Sequence, residues 1–409
     1  MISTLKYGIN AAIELEVPEA SLVADCAEPR DEAADPAKAM AHAIAKPVDF
    51  PPLAQAVAPG DTVVVALGPS VPQAAQLLPP LIKTICEQGV QPSSITVLQT
   101  ADDASAASEP LAGRLPANVR DQIHVVIHDP TDRSGLAYLA TTDDEHPIYL
   151  QRELCDADIV IPIGRASWRR AGDGFASLET LYPTFSDVPT HERFTKLKLA
   201  ATNRETRAAA RQEIREVDWL LGVLFGFQVV PAAGGGVLAV YGGRLDAVRR
   251  LARERCEQAW NFTVPRRASL VVAAIEGDAA EQTWESVGRA LAAASRAVAE
   301  NGTIAICSRL DAQPGPAVKH LGESEDRHLA VRQIRKHQLS DALPATQLAR
   351  AMDRARVYLL SDLDAETVEE LGMAPVESAD EIPRLAARHK SCILLGNAQH
   401  AVATPLADE

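Results

Sequence analysis

The chain is poor in aromatic side chains. Phe, Trp and Tyr make up 4% of its 409 residues, against 47% hydrophobic residues in all. Its core must therefore be built from aliphatic side chains and alanine. Cysteine is sparse and scattered: Cys26, Cys86, Cys155, Cys256, Cys307 and Cys392 form no CxxC pair. That spacing argues against a zinc site or a disulfide framework and predicts buried free thiols in a reducing compartment. No apolar run is long enough to span a membrane. The first twenty residues lack a basic start followed by an apolar stretch, and Glu14 and Glu16 interrupt them. No signal peptide is expected, and the expected location is cytoplasmic. Positive charge is in deficit, with 40 Lys and Arg against 55 Asp and Glu and a net charge of −15. Neither nucleic acid nor an anionic membrane is the expected partner, although a local basic patch stays open. A small-molecule ligand fits better, and the oligomeric state is not legible. No GxSxG elbow and no Walker loop occurs, so the usual signs of a serine nucleophile or a nucleotide-triphosphate cradle are missing.

What is present is alternation. Thr62–Leu67 reads as a buried strand. Leu77, Leu78, Leu81 and Ile85 then recur at helical spacing within 74–88, and Gly89 sits where a helix would end. Ser94–Leu98 reads as the next strand, completing a strand–helix–strand unit of the parallel, right-handed kind. Ile123–Ile127 and Asp158–Ile163 are further strands. Arg244–Asn261 predicts a helix, after which the alternation restarts. Ser269–Ala274, Thr303–Cys307, Arg356–Leu360 and Ser391–Leu395 read as strands. Between the first two, residues 283–299 form a helix with Trp284, Val287, Leu291, Ala294 and Val298 on one face, ended by Asn301-Gly302. The fold class is α/β: two Rossmann-like α/β domains, 1–263 and 264–409, with a cleft between them as the usual place for a ligand. Such a chain is too long for one core.

Several local constellations have two readings. Arg204, Arg207, Arg211 and Arg215 share one helix face, either a solvated face or a phosphate-facing stripe. Gly234-Gly235-Gly236 is a tight turn or, less specifically, a phosphate cradle. His124 and His128 lie about 13 Å apart on a strand, too far to share a metal. His128-Asp129 reads as a satisfied structural pair. Trp168, Arg169 and Arg170 follow a strand, where they either stack a planar group and hold an anion, or pack and face solvent.

The ordered segments resemble the lactate racemase family. Tyr7-Gly8 with Glu14–Pro18, Lys46-Pro47 through Pro51–Leu53 and Pro59–Asp61, His128-Asp129 with Pro147-Ile148 and Ala157–Gly164, and Glu276–Asp278 with Trp284–Val287 through Gly302-Thr303 follow that family's order as far as Ser308. The resemblance implies a 2-hydroxy acid racemase or epimerase. In that family a nickel-pincer nucleotide, tethered to a lysine, takes up and returns a hydride, with two acid–base histidines, a metal histidine and an arginine clamp. The matching positions differ here. No arginine lies between Arg30 and Arg114. Asp103 stands at the first histidine and Trp168 at the second. Leu178 or Glu179 stands at the tether, and Glu285 and Gly288 stand at a Gln and a Lys. His191 is a metal ligand only on a shortened spacing. The resemblance therefore points to a divergent or inactive lactate racemase-like protein with a small-molecule-binding cleft. Its site candidates are Asp103, Trp168, Arg169, Arg170, Glu179 and Glu285. No cofactor is expected, and the nickel-pincer nucleotide would enter only a rearranged site. The alternative is an isomerase on a 2-hydroxy acid or sugar acid, with Arg169, Arg170, Glu179, Glu285 and His191 supplying charge and acid–base groups.

Overall fold

The computed structural model describes residues 2–26, 33–107, 109–142, 144–167, 179–200, 204–337, 339 and 341–406. The first strands are β1 (Ile2–Tyr7), β2 (Ala11–Glu16) and β3 (Leu22–Cys26). Then come β4 (Val63–Leu67), β5 (Ile95–Thr100), β6 (His124–His128), β7 (Leu136–Thr141), β8 (Pro147–Gln151), β9 (Ile159–Arg165), β10 (Phe225–Pro231) and β11 (Val237–Arg244). The last are β12 (Asn261–Val264), β13 (Ala268–Ala274), β14 (Val298–Cys307), β15 (Ala355–Leu360), β16 (Ala374–Val376), β17 (Cys392–Leu395) and β18 (Val402–Pro405). The chain divides into two compact units: a central one, Glu32–Ala232 with Gly236–Glu257, and a terminal one, Met1–Asp31, Ala233–Gly235 and Gln258–Glu409.

The central unit is built on a six-stranded sheet of order β11-β10-β9-β4-β5-β6. β4 is buried along its whole length and pairs in parallel with β5 on one side and β9 on the other. An unbroken Val-Val-Val-Ala-Leu run suits such a strand, because both faces are covered. The helix Ala74–Glu87 buries Leu77, Leu78, Leu81 and Ile85, as the periodicity predicts, and Gly89 follows it at φ 89°. A positive φ at that position suits glycine, which pays no Cβ penalty there. The core beside it is almost wholly aliphatic, with Phe225 and Phe227 among the few rings.

The terminal unit has its own six-stranded parallel sheet, β16-β15-β14-β13-β17-β3. The β1–β2 hairpin alternates buried and exposed residues and puts Leu5, Tyr7, Ile13 and Leu15 into one core with Leu270, Val272 and Leu394. Residues of the N-terminal segment thus share the sheet and core of the C-terminal strands, whereas the sequence reading grouped all of 1–263 together. The helix Trp284–Ala297 opens on Thr283, whose hydroxyl accepts the Ser286 N–H. It ends sooner than predicted. Val298 already begins β14, and Asn301 (φ 56°) and Gly302 lie in an irregularity of that strand rather than at the helix end. The Gly234-Gly235 pair forms a turn at φ 65° and 74°, the tight-turn reading of that run. Among the described residues no helix is long and apolar enough to cross a membrane.

Candidate functional site

In the central sheet the chain runs β4, β5, β6 in one direction and then returns to lay β9 on the other side of β4. That reversal is a topological switch point, and parallel pairing brings the carboxyl ends of β4, β5 and β9 to one edge. The loop after β4 begins with Gly68, whose N–H donates to the Ile163 carbonyl of β9 at 2.9 Å. Ser70 then takes a left-handed backbone (φ 53°). Its N–H reaches the Asp103 carboxylate, 3.1 and 3.2 Å from the two oxygens.

Asp103 comes from the loop after β5. Thr100 caps the short helix Ala101–Ala106, accepting the Asp103 N–H at 3.2 Å and donating its hydroxyl to Asp103 Oδ2 at 2.7 Å. This is an N-cap whose hydroxyl is itself held by the side chain of the residue it caps. The carboxylate thereby ties the two strand-end loops together. Burial pushes its pKa up; the Thr100 hydroxyl, the Ser70 amide and the nearby Arg165 guanidinium pull the other way. Both oxygens already have donors, so the geometry describes a positioning group.

Gly164, near the end of β9, faces Thr180 and Gln228. A Cβ at Gly164 would lie 2.3 Å from Thr180 Oγ1 and 2.5 Å from Gln228 Nε2, so a larger residue would have to displace both side chains. Thr180 and Gln228 are each 1% exposed, and among the described residues Thr180 Oγ1 and Gln228 Oε1 have no hydrogen-bond partner. Two unpaired polar atoms in a dry position are costly, by about 1–3 kcal/mol each. They mark the switch point as polar beyond what packing needs. Glu179, next in chain, is also buried. The Thr184 hydroxyl donates to the Glu179 carbonyl, and His191 Nε2 faces the Thr184 carbonyl at 3.2 Å. Glu179 and His191 are thus joined to one turn of chain.

The other predicted positions fare differently. Trp168, Arg169 and Arg170 lie outside the described residues. Glu285 is exposed in the first turn of the helix Trp284–Ala297, in the terminal unit rather than with Glu179 in the central one. His128 and Asp129 are each satisfied but not by one another, a correction to the pair reading. His128 is buried, its Nδ1 at 2.7 Å from Gln151 Oε1 and its Nε2 at 2.9 Å from the Ser186 carbonyl. Asp129 faces solvent and accepts from the Thr131 amide and hydroxyl, which lowers its pKa. Among the described residues no three His, Cys, Asp or Glu side chains are grouped to hold a metal ion. Sequence reasoning missed Arg165, Thr180 and Gln228. The Ile-Gly-Arg end of β9 signalled the first, but nothing local announced the other two.

The terminal sheet has a switch point too, between β13 and β17, and it is filled by its own amides. Asn397 Nδ2 donates to Glu276 Oε2 at 2.9 Å and Asn397 Oδ1 accepts the Gly234 N–H at 3.0 Å. Gln399 Nε2 donates to the Glu276 carbonyl at 2.8 Å.

Residues 7–168 match the family model described as the lactate racemase N-terminal domain. No curated protein matches the chain in a sequence comparison. Among solved structures, the lactate racemase apoprotein from Thermoanaerobacterium thermosaccharolyticum is similar in fold, with a TM-score of 0.77 at 15% identity, covering 98% of this chain and 100% of that one. A protein from Thermotoga maritima is similar with a TM-score of 0.67 at 13% identity, covering 91% of this chain and 99% of that one. The chain is thus lactate racemase-like in two respects: residues 7–168 match the model of that N-terminal domain, and its fold is similar to that of the lactate racemase apoprotein.

Proposed function

We propose that this lactate racemase-like protein binds a small carboxylate-bearing molecule, of the 2-hydroxy acid type, at the central switch point, without the family's tethered nickel cofactor. The observation that carries this reading is Asp103. It occupies the position that the resemblance gives to a proton-relaying histidine, and its oxygens are committed to Ser70 and Thr100. A carboxylate so held is a strut, not a relay. The nickel-pincer group does not fit the described residues. Glu179, at the tether position, is an acid with no amine to form a thioamide. His191 has its Nε2 turned to a backbone carbonyl. Arg165 is a cation close enough to act on Asp103, the Thr180 hydroxyl can donate to a carboxylate oxygen, and Gln228 Oε1 can accept from a hydroxyl. A reducing, cytoplasmic setting accords with six cysteines that are all free.

The test is co-expression with the cofactor-synthesis enzymes, followed by metal analysis, intact mass and a stereochemical assay on 2-hydroxy acids. Neither stoichiometric nickel, nor a covalent adduct, nor inversion is expected. A thermal-shift screen of the same acids should show a saturable rise that R165Q reduces at least tenfold in affinity. Nickel with an adduct would overturn the reading. A second reading, an isomerase with a rearranged site, is favoured by the burial of Glu179, a carboxylic acid, beside the switch point. It requires inversion without nickel, abolished in E179Q.

A further inference from the structure

The terminal unit carries a basic cavity that the site above does not use. Arg327, Arg332 and Arg335 on the helix Arg327–His337 and Arg350 on the helix Ala342–Arg354 line a hollow of about 300 Å³. Its floor includes Thr346 and Ala349, buried side chains too small to fill the groove between the helices. Asp353 is the one carboxylate among the lining residues. Among the described residues, none of the four guanidinium groups has an ion-pair or hydrogen-bond partner. Arg335 has its pKa lowered by partial burial and by the positive charge of Arg350. Like charges held close cost stability, and among the described residues the nearby carboxylates, Asp353 in the lining and Asp326 acting on Arg332, form no ion pair with them. The like charges collect here on a chain whose net charge is −15, where carboxylates were available in plenty. A solvated arginine face would lie on one helix; this cluster is assembled from two. No Phe, Tyr or Trp lines the hollow, so it offers no platform for a stacked base.

We propose that this cavity binds a small anion with adjacent phosphate groups, of the pyrophosphate or phosphorylated-metabolite kind. The planar guanidinium fork matches pairs of phosphate oxygens, and several forks around one hollow suit a multiply charged ligand. The volume lies at the small end of ligand sites, which excludes a large partner.

The experiment is titration calorimetry on the full chain with pyrophosphate and with orthophosphate, at ionic strength held constant with KCl. Pyrophosphate is expected to bind saturably with one site, at least tenfold more tightly than orthophosphate, and more weakly as salt rises. R335Q and R350Q should each weaken it at least tenfold, and R350K, which keeps the charge but loses the fork, should fall between. Unliganded R350Q should melt at or above the wild-type temperature, because Arg335 loses a like-charged neighbour; this also guards against reading a folding defect as lost binding. Absence of saturable heat, or affinity unchanged in both Gln variants, would overturn the site. Equal affinity for the two anions would overturn its assignment to adjacent phosphates.

Discussion

Asp103 shows how one side chain can carry a loop junction and a pH dependence together. Its raised pKa means that the folded chain holds the proton to a higher pH than the unfolded chain does. Its favourable contribution is therefore complete below the ordinary carboxylate range and is lost as pH rises through the raised value. An Asn at this position turns an N–H₂ towards donors on at least one side. D103N should cost about 1–2 kcal/mol at low pH, and the cost should shrink as the pH rises through that window. Urea unfolding at a series of pH values checks both the sign and the slope. Cysteine behaves more simply. Burial pushes the Cys256, Cys307 and Cys392 thiols up to about 12. None of these three should react with a disulfide reagent at pH 8 in the folded protein, and all six cysteines should react in urea. Rapid labelling of Cys307 in the native protein would contradict the packing.

Helices and strands differ in how far the sequence announced them. The helix Ala74–Glu87 was legible because its apolar spacing and Gly89 are local signals. The pairing of β3 with β17 was not, because a parallel edge strand finds its partner through a register that no local pattern encodes. The same holds at the site. Gly164 and the Thr100–Asp103 turn stand at strand ends and could be read, whereas Thr180 and Gln228 are brought in by the chain's later course. The Arg327–Arg350 cavity was illegible for a related reason: each helix alone looks merely solvated. A buried link between elements gives another test. Asp218, on the helix Arg204–Leu220, meets Arg249, on the helix Leu245–Trp260, at 2.9 Å, both side chains 7% exposed. Burial raises the Asp218 pKa against the pull of Arg249. R249M alone should destabilise by about 3–5 kcal/mol by stranding the acid, and D218L/R249M together should cost much less. Denaturant midpoints of the three variants decide it; equal losses in single and double variants would mean the pair is not coupled.

At the scale of the molecule, the terminal unit is discontinuous in sequence. A fragment cut at the boundary that sequence alone suggests, 264–409, lacks the β1–β2 hairpin and the β3 edge. It should expose the faces that Leu5, Ile13 and Leu15 cover and should aggregate. A fusion of residues 1–31 to 258–409 through a flexible linker should recover soluble, cooperative unfolding by circular dichroism.

The β3–β17 pairing also sets a schedule for synthesis. Cys26 leaves the ribosome early, yet its partner strand ends about 370 residues later, at Leu395. At 5–20 residues per second the N-terminal segment waits roughly twenty seconds to more than a minute for its neighbour. Through that interval the nascent chain presents an unpaired strand and an apolar hairpin face while the central unit, contiguous over most of its length, is free to fold first. This segment is thus the stretch on which a chaperone has the longest time to act, and slowing translation between codons 26 and 395 lengthens its exposure.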